Sequence, residues 1–145
     1  MRINYTKYAE HFLKLELMKA NKEVFQNESG DDDALSFIAK TTEGVYHELH
    51  LKALVIDKGH RIKIAKTTLP QPKENLWIAI VMITKKMDCS MYLIPSTTLS
   101  EPNKYTFLGK QNNTALYWEI NVILEAIPEL SQFTLNRMRG LNSSV

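Results

Sequence analysis

Residues 44–56 read GVYHELHLKALVI, the longest run in the chain with a clean two-residue period. In an extended chain Val45, His47, Leu49, Leu51, Ala53 and Val55 share one face, while Tyr46, Glu48, His50 and Lys52 share the other. The stretch is therefore expected to be a β-strand, packed on its apolar side. Its polar side sets a carboxylate, an imidazole and an ammonium in a row at steps of about 7 Å. Such a row is either a metal-assisted hydrolytic site or a solvated face.

Working outward, the preceding ALSFIAK (34–40) reads as a strand joined by the turn TTEG, so that the two form an antiparallel hairpin. Before it lie the acidic turn NESGDDD (27–33), a short strand KEVFQ (22–26) and an amphipathic helix over 4–21. Tyr5, Tyr8, Ala9, Phe12, Leu13 and Leu17 form the apolar stripe of that helix; Asn4 or Thr6 is its cap and Asn21 its stop. On the other side, RIKIAK (61–66) is a further short strand with a basic outer side, and TTLPQPKEN (67–75) is an irregular connection. LWIAIVMI (76–83) is a nearly continuous apolar run, the pattern of a central strand buried on both faces. MYLIP (91–95) is another strand and Ser96–Ser100 a helical turn, followed by a loop or edge ribbon over 101–115. LYWEINVILEAIPELSQF (116–133) is expected to open as a strand and give way to a helix, with Pro128 at a break or at a second helix start, and residues 141–145 to fray as a tail.

This order describes one domain over residues 1–140, of α/β or α+β class, with a mixed central sheet flanked by an N-terminal and a C-terminal helix. The 145 residues, 44% hydrophobic, suffice for one core and not comfortably for two. Formal charge is +2 from 18 basic and 16 acidic residues, so the overall field neither demands nor excludes a polyanion. The single cysteine, Cys89, has no partner for an intramolecular disulfide or a zinc knuckle, which suits a reducing cytoplasm. No apolar leader or window of membrane-spanning length is visible, so no membrane partner is expected.

With helix, acidic turn and lysine-bearing strand in place, the order resembles the PD-(D/E)XK nuclease superfamily, the restriction-endonuclease-like fold, and in particular small bacterial domains within it. YTKYAEHF stands where that family has its first helix and SGDDDALSFIA where it has its acidic turn and next strand. ELHLKA matches the lysine strand, and WIAIVMI and MYLIP the two apolar strands that follow; the likeness covers roughly residues 5 to 100. The resemblance implies a divalent cation, Mg²⁺ or Mn²⁺, held by carboxylates to activate water against a phosphodiester of DNA, with a lysine orienting that water. Lys52 matches the motif lysine and Glu10 the metal-assisting glutamate of the first helix. Two positions depart from the pattern: His50 stands two before the lysine, and Ser36 stands where the second strand should open with Asp. The substitute set is Glu10, Asp33 and Glu48 as metal ligands, with His50 and Lys52 as catalytic groups. The restriction-endonuclease-like proteins often dimerise, and a homodimer is a further expectation.

Each of these residues also has a plain structural reading. Lys52 and His50 suit an ordinary polar strand face, Asp31 to Asp33 a solvated turn, and Glu10 the dipole of a helix start. Arg61, Lys63 and Lys66, with His60, and separately Arg137 with Arg139, could neutralise a phosphate backbone, or could guard an edge strand against pairing. The expectation is thus a metal-dependent DNA nuclease or, alternatively, a catalytically inactive interaction or DNA-binding module associated with defence or mobile elements.

Overall fold

In a computed structural model, which describes residues 4–27, 36–56, 61–65, 71–100, 117–122 and 130–133, the alternating stretch forms β3 (Tyr46–Val55), with strands numbered in chain order. Among the described residues it is the middle strand of a five-stranded mixed sheet with β1 (Glu23–Asn27), β2 (Ser36–Lys40), β5 (Leu76–Ile83) and β6 (Cys89–Pro95), in the order β1-β2-β3-β5-β6. β1, β2 and β3 form an antiparallel meander, β3 and β5 run parallel, and β6 returns antiparallel to β5. The parallel pair requires a crossover, and β4 (Arg61–Ala65) lies within it. β4 pairs antiparallel with β7 (Tyr117–Asn121) in a separate two-stranded sheet. The protein is therefore of mixed α+β class, with helix α1 (Tyr5–Lys19) at its N-terminus.

Helix α1 begins and ends where its sequence says. Asn4 accepts a hydrogen bond from the Lys7 amide at 3.0 Å through its side-chain oxygen, satisfying an N-terminal donor the helix itself cannot. At the other end Asn21 adopts φ +63°, a left-handed conformation that asparagine tolerates. The Lys22 amide then reaches the Leu17 carbonyl and the Asn21 amide that of Met18, which is a Schellman closure. The stripe Ala9, Leu13 and Leu17 packs on the sheet against Phe37, Ala39, Leu49, Leu51, Ala79, Val81 and Leu93.

The opposite sheet face is not solvated. There Leu54, Leu76, Ile78, Ile80, Tyr92 and Ile94 meet Ile62 and Ile64 of β4 and Ile120 of β7, so the small sheet covers that side. Each of these large side chains contributes roughly 1.5–3 kcal/mol by leaving water. β5 is accordingly buried on both faces, as its unbroken apolar run predicts. Ser96–Ser100 forms a short 3-10 helix, and Ser131–Phe133 another. The expected C-terminal helix falls mostly on residues outside those described, as do the 101–115 loop and the tail.

Candidate functional site

The register of β3 settles which of the sequence-derived site residues stand together. Leu49 and Leu51 pack under α1, while Leu54 packs under the small sheet, so Glu48, His50 and Lys52 share the small-sheet side. Their partners on β5 are Leu76, Ile78 and Ile80, all of that same core. Ser36 is the cross-strand partner of His50 on β2, so the two positions that depart from the nuclease pattern are neighbours in the sheet.

Glu10 belongs to the other side. It is 1% exposed on α1, which packs on the face carrying Leu49 and Leu51, and its carboxylate lies 3.2 Å from Lys7 and 3.6 Å from Lys14. Lys14 in turn lies over the Phe37 ring at 5.7 Å. The sheet thus stands between Glu10 and the row Glu48, His50, Lys52, and one ion cannot touch both. Asp33 and Lys66 lie outside the described residues, as do His60, Arg137 and Arg139.

The reading of the polar side of β3 as a solvated face needs correction at His50. It is buried, at 5% exposure, and its Nε2 has no hydrogen-bond partner among the described residues. Burial, aided by the nearby Lys52 charge, pushes its pKa down to about 4, so the imidazole is neutral over ordinary pH. Glu48, 41% exposed at the strand's start, is bridged to Lys73 at 3.3 Å. A divalent cation here would meet an ammonium, a buried imidazole and a carboxylate already engaged by a lysine. These residues do not fit a Mg²⁺ or Mn²⁺ site, whose hard cations demand several oxygen ligands.

Where β3 and β5 begin, a cleft of about 430 Å³ opens between Tyr46, His47, Glu48 and the segment Lys73–Asn75, and a smaller one of about 250 Å³ continues beside Trp77, Pro95 and Thr97. Its walls are held by internal bonds. Trp77 Nε1–H donates to His47 Nδ1 at 2.9 Å, and since an indole only donates, the His47 proton sits on Nε2. The Ser96 hydroxyl accepts from the Lys73 amide at 3.0 Å and donates to the Lys73 carbonyl at 2.9 Å, clamping the segment. Asn75, at φ +65°, turns the chain so that its carbonyl accepts from the Glu48 amide at 2.7 Å. The alternation of β3 placed His47 on the core side but gave no hint of this pairing; the sequence signal was a lone tryptophan within an aliphatic strand.

Of the basic cluster, Arg61 and Lys63 are exposed on the outer side of β4, with Ile62 and Ile64 facing in. Glu119 of β7 is the cross-strand partner of Lys63 and lies 3.9 Å from Arg61, which offsets the positive strip. The described residues contain no helix long and apolar enough to cross a membrane. Comparison of the chain with protein-family models and with curated proteins gives no match.

Proposed function

We propose that this chain is a non-catalytic interaction module, built on a scaffold whose element order resembles the PD-(D/E)XK nucleases, that acts by binding another protein. The observation that carries this reading is the sheet lying between Glu10 on one side and Glu48, His50 and Lys52 on the other. Metal-dependent phosphodiester hydrolysis needs its carboxylates and its lysine around one ion. Here the candidate base is buried, and both glutamates are occupied by lysines. Groups buried or engaged in this way are not available to hold one ion, which leaves the exposed surfaces of the scaffold for recognition.

The test is plasmid nicking with magnesium or manganese by the purified chain and its Glu48→Ala and Lys52→Ala variants. The expected result is intact supercoiled plasmid throughout and no change in thermal midpoint on adding either metal. Manganese-dependent nicking by the wild type, abolished in both variants, would overturn the proposal. A DNA affinity that falls steeply with salt and disappears in Arg61→Ala with Lys63→Ala would replace the protein partner with a nucleic acid.

A further inference from the structure

At the end of α1, the Schellman turn places Lys22 in the position that commonly takes an apolar residue packed against the last turn. Lys22 is 3% exposed, and its amine has no hydrogen-bond partner among the described residues. A buried polar group without a partner is costly, so this is a poor place for a lysine that only completes a core. Lys22 lines a groove of about 520 Å³ between α1 and β1, together with Met18, Val24 and Phe25.

Among the described residues, β1 is the edge of the main sheet. An edge strand keeps a row of backbone donors and acceptors able to pair with a further strand, and natural edges are usually blunted by proline or inward charges. β1 reads EVFQN, with no proline and its one charge, Glu23, at the start. Phe25 is 50% exposed on this strand and Met18 62% exposed on the adjoining helix. Lys14, the other cation of the groove, already faces Glu10. Among the described residues, the groove therefore offers an unpaired strand edge, two exposed apolar side chains and a buried amine with no acceptor.

We propose that β1 receives an extended segment of a partner protein as an added strand, with an aspartate or glutamate of that segment bonded to Lys22 and its apolar residues lying on Met18 and Phe25. Main-chain pairing would supply affinity and the carboxylate would supply selectivity. This inference deepens the interaction-module reading and rests on it.

Displayed random peptides of about ten residues, the length of a long strand, are selected on the full chain and on Lys22→Met. Wild-type selections should converge on alternating β-favouring sequences with one acidic residue at a fixed position. Replacing that residue by its amide should weaken binding about tenfold, the effect of about 1.4 kcal/mol. Lys22→Met should fold with an unreduced midpoint and bind the acidic and amide peptides alike. Phe25→Lys, an exposed change, should lose both. Bound peptide should slow hydrogen exchange of β1 amides. Selections without an acidic preference, or binding that leaves β1 exchange unchanged, would overturn the inference while leaving the module reading intact. A chain that self-associates through β1, with Phe25→Lys restoring the monomer, would overturn it too, because a second copy would then be the occupant. Metal-dependent plasmid nicking would instead overturn the module reading, whatever the peptides do.

Discussion

His50 shows what a single position does once its surroundings are known. Sequence alternation placed it beside Glu48 and Lys52, and that placement is correct in register. What alternation cannot tell is whether a second layer, supplied by residues far along the chain, closes over the polar side. With that layer present, His50 changes from a candidate base into a group held neutral, with a pKa of about 4 against an ordinary 6.5. The unfolded chain therefore binds a proton more readily than the folded one between those values. Stability contributed by neutral His50 is intact above pH 6.5 and is progressively lost as pH falls toward about 4. The full extent is roughly 3 kcal/mol at about 1.4 kcal/mol per pH unit, as an order of magnitude. Urea unfolding of wild type and His50→Gln across that range checks this: the wild type should weaken more steeply in acid, and parallel curves would mean that His50 is solvated.

At the scale of the element, α1 was the most legible part of the chain. Its cap, stripe and stop are all local chemistry, set by residues within a few positions of each other. Asn4→Ala should cost about 1 kcal/mol by leaving the Lys7 amide without its acceptor. Asn21→Ala should cost about 1 kcal/mol as well, because alanine resists the left-handed conformation held there, while Asn21→Gly should lose none of it. Chemical denaturation of the three variants measures both ends of one helix, and a destabilised Asn21→Gly would contradict the closure described. The strands were read almost as well, since a two-residue period is also local. β2 and β3 pair as the expected hairpin, and β6 begins at Cys89, two residues before MYLIP. The pairing of β4 with β7 was not legible. RIKIA reads as a basic edge strand in isolation, and its partner YWEIN comes more than fifty residues later, beyond the reach of any periodicity.

At the scale of the molecule, that same non-local pairing decides what the candidate site can do. The nuclease resemblance was built on the order of elements, and order is silent about which face of the sheet each side chain enters. Glu10 reaches one face through α1, and Glu48, His50 and Lys52 reach the other through β3, so a set adjacent in a motif is divided in space. The small sheet that completes this division should also control the chemistry beneath it. Ile64 is fully buried where β4 meets the main sheet, and Ile64→Ala should cost about 2–5 kcal/mol through lost contacts and the cavity left behind. A loosened layer admits water toward the face that carries His50, which relieves the desolvation holding its imidazole neutral. The His50 titration, followed by NMR of its ring carbon-bound proton, should therefore move upward from about 4 toward 6.5 in Ile64→Ala, at temperatures where the variant remains folded. An unmoved titration in a folded, destabilised variant would show that His50 owes its burial to other parts of the chain, and the small sheet would then be a support for the core without influence on the polar row of β3.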